Sequence, residues 1–348
     1  MSGVLILIFE DKKILIIGGT GSLGKTLIRR ILSNELGKPK QVIVFSRDEA
    51  KQHYLRMEYM KLKKAPDNIL YDNFKKLLSF RLGNIRNFHS VCKTLDNVDI
   101  VFNAAALKQV PACEYFPSEA IKTNIIGAEN ICQAIKEFKL PIDTVVGVST
   151  DKACKPVNVM GMTKAIQERI FLKGNIDSPN TRFICVRYGN VLASRGSVLP
   201  YFTEQIENNG PVTITHPDMT RFLLSLDKSV ETIFEAVCNA MKGETYIPNV
   251  KAAKITDIAE LLIGNRNIKI EFTGIRPGEK IHEILVSEEE VHRTIARGKY
   301  YVIKPILPEI LDEKIIKTVL RNEFSSANSL MTKGELRNLL EKHNLLLD

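Results

Sequence analysis

Along the first 192 residues, short apolar runs alternate with stretches whose apolar positions recur every three or four residues. The runs KILIIGG (13–19), QVIVFS (41–46), LSFRLGN (78–84), VDIVFNAAA (98–106), DTVVGVST (143–150) and RFICVRYGNVL (182–192) are rich in Val, Ile and Phe. Such continuity predicts strands buried on both faces. Between them, helical spacing predicts a helix from about 22 to 35, one after Ser46, a long one through 118–138 and one over about 160–173. Strand and helix in alternation predict an α/β fold with a doubly wound parallel sheet. After residue 193 the rhythm breaks: Pro and Gly become frequent in LPYF, NNGPVTITHPD and GIRPGEK, and the elements are shorter and mixed. The expected organisation is a dinucleotide-binding domain over 11–192 and, mainly over 193–348, a smaller mixed α/β substrate-binding lobe interleaved with it.

Composition removes several alternatives. The run VLILIF (4–9) is too short to span a bilayer and has no basic segment before it; it reads as a strand-like lead-in. No later apolar run approaches 18 residues, so no membrane association and a cytoplasmic location are expected. Cys92, Cys113, Cys132, Cys154, Cys185 and Cys238 form no C-x-x-C pair and have no His cluster nearby, which argues against a metal site and a disulfide framework. The net charge of +9 has a local excess in KLKKAPDNILYDNFKK (61–76), expected to be a surface helix-loop inserted at about 59–76. No recognised nucleic-acid-binding module accompanies it, so nucleic acid is not the expected partner.

Chemistry enters with GGTGSLG (18–24), which places Gly18, Gly21 and Gly24 three apart, after a strand and at the start of a helix. Glycines there allow a tight turn and close approach to a pyrophosphate seated on the helix N-terminus, the Rossmann-like arrangement. The next strand ends with Ser46 and Arg47, with Lys51 a turn further on. Cationic residues at that tip suit the 2′-phosphate of NADP, whereas an acidic residue such as Asp48 would suit the ribose hydroxyl of NAD; NADP is the expected cofactor. Asp151 and Lys152 fall just past the end of the fifth run, where ligands bind in such sheets. Met160 and Lys164 lie four residues apart on one face of the following helix.

Together the glycine turn, NAAALKQVPACE (103–114), STDKA (149–153), M-x-x-x-K (160–164), RYGNVLASRGSVLP (187–200), DMTRF (218–222) and GIRPGEK (274–280) resemble the extended short-chain dehydrogenase/reductase superfamily. More narrowly, they resemble the soluble UDP-N-acetylglucosamine 4,6-dehydratases of bacterial capsule, O-antigen and flagellin-sugar pathways. The insertion departs from that pattern. So does Asn84, where the family usually has an Asp that contacts the adenine. The resemblance implies cofactor contacts from Gly18, Thr20, Gly21, Ser22, Leu23, Gly24, Ser46, Arg47, Lys51, Asn84, Ile85, Ala104, Ala105, Asn124 and Lys164.

It also implies a redox-neutral reaction: hydride leaves sugar C4, the C5 proton is removed, water leaves C6 and hydride returns to C6. By resemblance Lys164 orients the cofactor ribose, Lys152 takes the C5 proton, Asp151 protonates the departing hydroxyl and Thr150 holds the C4 oxygen. Met160 occupies the position of the usual catalytic Tyr. A thioether has no proton to give and accepts only weakly. Met160 is therefore expected to pack beside sugar and nicotinamide while Asp151 or Lys152 takes the C4 proton.

A nucleotide-sugar diphosphate needs fixed cations and amides, and Arg suits bidentate contact with phosphate. Arg187, Arg195, Arg221 and Arg276 lie in the matched motifs. Lys108, Asn190, Arg195, Ser197, Arg221, Arg276 and Glu279 are the expected contacts to UDP-N-acetylglucosamine. Asn103 and Asn124 are expected to hold backbone and cofactor in place, and His216 and His282 to be non-catalytic. A UDP-sugar 4-epimerase and a non-catalytic NADP-binding protein are the competing readings. By analogy at the level of the fold, a homo-oligomer, either a dimer or a hexamer, is expected.

Overall fold

The computed structural model describes residues 7–61, 68–192, 197–311 and 317–347. The six apolar runs form β1 (Lys13–Ile17), β2 (Gln41–Ser46), β3 (Leu78–Leu82), β4 (Ile100–Asn103), β5 (Thr144–Val148) and β6 (Arg182–Val186). The helices among them are α1 (Ser22–Leu32), α2 (Glu49–Lys61), α3 (Asn68–Leu77), α4 (Phe88–Leu95), α5 (Val110–Tyr115), α6 (Pro117–Ala120), α7 (Gly127–Glu137) and α8 (Val159–Asp177). Beyond them come β7 (Asn190–Val191), α9 (Val198–Glu207), β8 (Val212–Ile214), β9 (Thr220–Leu224), α10 (Leu226–Asn239), β10 (Thr245–Pro248) and β11 (Ala252–Lys254). The chain continues through α11 (Ile255–Ile263), β12 (Ile270–Phe272), β13 (Ile284–Val286), α12 (Glu288–Val291), β14 (Thr294–Arg297), β15 (Tyr300–Ile303), β16 (Phe324–Ser325) and α13 (Lys333–Lys342).

The central sheet has nine strands in the order β14-β15-β10-β6-β5-β4-β1-β2-β3. β1 pairs in parallel with both β2 and β4, so the sheet grows outward from β1 in two directions. That reversal opens a crevice beyond the carboxyl ends of β1 and β4. The fold is the expected α/β Rossmann-like one, with an addition: β10 lies parallel to β6, while β15 and β14 run antiparallel at the edge. Apolar side chains on both sheet faces fill the core, which explains the uninterrupted hydrophobic runs of β1, β2 and β4.

Three expectations change. The lead-in at 4–9 forms no strand over its described residues; Phe9 instead plugs the core, fully buried with its ring 5.2 Å from that of Phe234. The segment at 59–76 is more than a solvated loop. Tyr59 of α2 stacks on Phe74 of α3 at 5.1 Å, and both join the main core, although 62–67 lie outside the described residues. The long helix at 118–138 is interrupted by a π-helical stretch, Ile121–Ile126, which turns Asn124 fully inward. Such stretches cost hydrogen-bond geometry and recur where a side chain has a task.

Candidate functional site

At the end of β1 the chain turns through Gly18 at φ +81°. A Cβ there would lie 2.7 Å from the backbone nitrogen of Ala105, so the turn accepts only glycine. Gly21 differs: a Cβ there would meet only the Gly18 carbonyl oxygen at 3.4 Å. It is the N-cap of α1, whose first turn holds no acidic residue and has no side-chain cap. An open helix N-terminus with a bare approach fits a pyrophosphate. Thr20, Ser22, Leu23, Ser46, Arg47, Asn84, Ile85, Ala104 and Ala105 line the same cleft. At the β2 tip, Lys51 is drawn to Asp48 at 2.6 Å, which holds the Asp48 carboxyl below its ordinary range. Arg47 is exposed beside them.

The cleft of about 1380 Å³ continues from this turn past the ends of β4 and β5 and is lined as well by residues of α9, β8 and the 276–279 turn. That exceeds the roughly 300–1,000 Å³ of an ordinary small-ligand pocket and leaves room for two ligands end to end. On its floor, Thr150 caps a single turn, Asp151–Ala153, directly after β5. Lys152 points its Nζ at three acceptors: Asp151 Oδ1 at 3.1 Å, Glu283 Oε1 at 3.0 Å and Asn190 Oδ1 at 3.3 Å. One acceptor for each ammonium proton fixes the lysine tightly. Its two carboxylate neighbours outweigh burial and raise its pKa above the ordinary lysine value.

Asp151 is fully buried beneath this floor, and burial raises its pKa. Its Oδ1 also accepts from the Thr150 hydroxyl at 2.8 Å, so it meets the cleft through Thr150 and Lys152 rather than directly. Glu283 is almost as buried, yet Lys152 and Arg221 keep its pKa below the usual carboxylate range. Asp151 Oδ2 and Glu283 Oε2 have no hydrogen-bond partner.

Met160 sits 5% exposed at the start of α8, packed with Cys113 and Ala120 and lining the cleft. One turn on, Lys164 donates to the Val148 carbonyl oxygen at 2.5 Å and to Gln167 Oε1 at 2.8 Å. Burial without a close carboxylate pushes its pKa down to about 8.

Lys108, Asn190, Ser197, Arg221, Arg276 and Glu279 line the same cleft. Arg195 lies outside the described residues. Ser197 Oγ is buried without a partner, whereas Asn190 spends its carbonyl on Lys152. Arg221 is not an open fork for phosphate: Nη1 donates to the Thr220 and Ile281 carbonyls and Nη2 to that of Lys280. Arg187 is buried between Glu168 and Glu290 at 2.7 and 2.8 Å, so its charge is neutralised within the protein. Asn124 does not reach the cleft; its amide bridges the Leu107 backbone and Thr163 Oγ1. Glu283 is the residue that sequence reasoning missed. Among the described residues no group of His, Cys, Asp and Glu could hold a metal, and no helix is long and apolar enough to cross a membrane.

The chain matches the family of polysaccharide biosynthesis proteins over residues 14–305. A protein of Rickettsia bellii (strain OSU 85-389) named UDP-glucose 4-epimerase is 43% identical over 300 residues, 85% of this chain and 83% of that one. The X-ray structure of Pen from Bacillus thuringiensis superposes with a TM-score of 0.86 at 35% identity, covering 97% of this chain and 99% of Pen. DesIV of Streptomyces venezuelae, a dTDP-glucose 4,6-dehydratase solved with NAD bound, shares the fold with a TM-score of 0.65 at 17% identity, over 77% of this chain and 86% of its own.

Proposed function

We propose that this chain, which belongs to the family of polysaccharide biosynthesis proteins, is an NADP-dependent 4,6-dehydratase of UDP-N-acetylglucosamine. The observation that carries this reading is the cluster of Asp151, Lys152 and Glu283 on the cleft floor beside Met160, a proton-transfer set that oxidation at C4 alone does not need. The bare approach at Gly21 and the open first turn of α1 fit a dinucleotide, and Arg47 favours the 2′-phosphate. A nicotinamide held there supplies hydride transfer at sugar C4 and C6.

The protein's own groups divide the remaining work. Lys164, fixed by Val148 and Gln167, orients the ribose. Thr150 Oγ1 holds the C4 oxygen and passes the C4 hydroxyl proton to the Asp151 carboxylate as hydride leaves. Lys152, in its amine form, removes the C5 proton once the C4 ketone has acidified it and returns a proton to C5 after hydride reaches C6. The proton for the departing C6 hydroxyl comes from Asp151, whose buried carboxyl is biased towards the acid form, and passes through the Thr150 hydroxyl. Met160 fills the space of an absent phenol and keeps water from the ketone. Ser197 and Arg276 serve the diphosphate, Lys108 the sugar and Glu279 the uridine ribose; all four line the cleft. A homo-oligomer belongs to this reading: Ile121, Ile126, Met162 and Ile166 are 42–47% exposed on the packed π turn and α8.

The test is NMR of UDP-N-acetylglucosamine incubated with the protein and catalytic NADP⁺ in deuterated water. A 4-ketone, a C6 methyl and deuterium at C5 support the dehydratase. The second reading is a UDP-sugar 4-epimerase, favoured by the name of the Rickettsia relative. Inversion at C4 without deuterium at C5 would establish it instead.

A further inference from the structure

Lys152 is held from both lobes. Asp151 precedes it in the chain, but Glu283 arrives on the segment leading into β13, and that segment is fastened to the catalytic turn at several points. Lys280 Nζ donates to the Cys154 carbonyl at 2.6 Å, and Asn158 Nδ2 donates to the Gly278 carbonyl at 2.7 Å. Arg221 braces it from β9 by donating to the carbonyls of Lys280 and Ile281. The Glu283 backbone is pinned in turn by Ser326, whose Oγ accepts from its N–H at 2.9 Å and whose N–H donates to its carbonyl at 2.8 Å. Glu283 therefore has little freedom: a carboxylate 1% exposed is delivered to a lysine whose third contact is an uncharged amide.

We propose that Glu283 is a positioning residue for Lys152: its carboxylate holds the ammonium towards the cleft and sets the pH at which Lys152 is available as a base. The charged groups around Lys152 are Asp151 on its own turn, Glu283 and Lys280 on the incoming segment, and Arg221 on β9. The two cations oppose the ammonium, so it depends on both carboxylates. The carboxylates are pushed in opposite directions, Asp151 towards the acid and Glu283 towards the anion. Two carboxylates separated in this way suit two roles: Asp151 takes up and releases a proton more readily, and Glu283 remains the counter-ion. The role as base rests on the dehydratase reading. The control of Lys152 by Glu283 does not.

The experiment measures Lys152 directly. The protein is labelled briefly with acetic anhydride across pH 8–12, and acetylation of Lys152 is quantified by peptide mass spectrometry, with wild type compared to Glu283→Gln and Glu283→Asp. Removing one close carboxylate should lower the midpoint of Lys152 reactivity by about one pH unit, roughly tenfold more amine at a fixed pH below it. Glu283→Asp should restore most of the shift, and circular dichroism confirms that each variant is folded. A merely structural effect raises reactivity uniformly without moving the midpoint, and that outcome overturns the proposal. Identical midpoints in wild type and Glu283→Gln overturn it as well. In parallel, the ascending limb of kcat/KM against pH for UDP-N-acetylglucosamine should move to lower pH in Glu283→Gln. If wild type does not turn that sugar over while the labelling midpoint still moves, the dehydratase reading fails and the control of Lys152 stands.

Discussion

The Nζ of Lys164 lies 2.5 Å from the carbonyl oxygen of Val148, the last residue of β5, so the sheet itself fixes the lysine's height above the cleft floor. Burial of its amine depresses its pKa, and that burial is visible in stability. The folded value is about 8 and the ordinary value 10.5, so the unfolded chain binds more protons between those limits. Stability therefore rises with pH across that window. In Lys164→Met this rise disappears. Urea unfolding at pH 8 and pH 10, taken as the difference between wild type and variant, checks it; a constant difference contradicts the assignment.

Lys152→Ala leaves Asp151 and Glu283 buried together without their shared cation. A loss of about 3 kcal/mol is expected, typical of breaking a buried pair from one side. Adding Glu283→Gln should recover part of it, because one of the two stranded charges is gone. Chemical denaturation of the single and double variants measures both steps.

Met160 packs against Cys113 and Ala120, and a thioether has no proton to transfer. Met160→Leu should keep turnover within about threefold, since volume-conserving apolar exchanges are well tolerated. Met160→Tyr adds a hydroxyl where the superfamily resemblance places one. A large rise in rate would show that a missing base at C4 limits the wild type; an unchanged or lower rate agrees with Thr150, Asp151 and Lys152 already covering that step.

Arg47 stands at the β2 tip, where Lys51 is engaged by Asp48. Arg47→Ala should raise the Kd for NADP about tenfold, the effect of losing one charge-assisted hydrogen bond. The Kd for NAD should hardly move. Fluorescence titration with each dinucleotide decides it, and equal losses for both would show that Arg47 does not read the 2′-phosphate.

Gly161, in the first turn of α8, passes so close to the Asp151–Ala153 turn that a Cβ there would lie 2.2 Å from the Lys152 carbonyl oxygen. Gly161→Ala must push that turn away from the helix. A fall in kcat on the order of 10²-fold is expected from such a displacement, with dinucleotide affinity retained.

Much of this was legible in the chain because continuous apolar runs and a glycine turn are local signals. β1, β2 and β4 are buried on both faces, and burial on both faces is written directly as unbroken Val, Ile and Phe. The positions of Gly18 and Lys152 followed from their places after strands, and that of Lys164 from its spacing to Met160 on the next helix. What stayed hidden was direction. Arg187, Arg221 and Asn124 carry the groups a ligand site needs, but each turns them towards other parts of the protein, and residue type does not show which way a side chain faces. Glu283 was hidden for a related reason: its meaning depends on a lysine in the opposite lobe. The available signal was a single acidic residue inside the apolar stretch IHEILV, where an unpaired charge would be costly.

The bonds from Lys280 to Cys154 and from Asn158 to Gly278 also bear on how such a protein diversifies. Where a nucleotide-binding core and a substrate lobe merely abut, the second can be exchanged to change what is recognised. Here the segment that lines the cleft at Arg276 and Glu279 also brings Glu283 to Lys152. A graft of that segment from a relative would have to bring a matching carboxylate at the right depth. On the proposed reading, recognition and chemistry would have to be exchanged together.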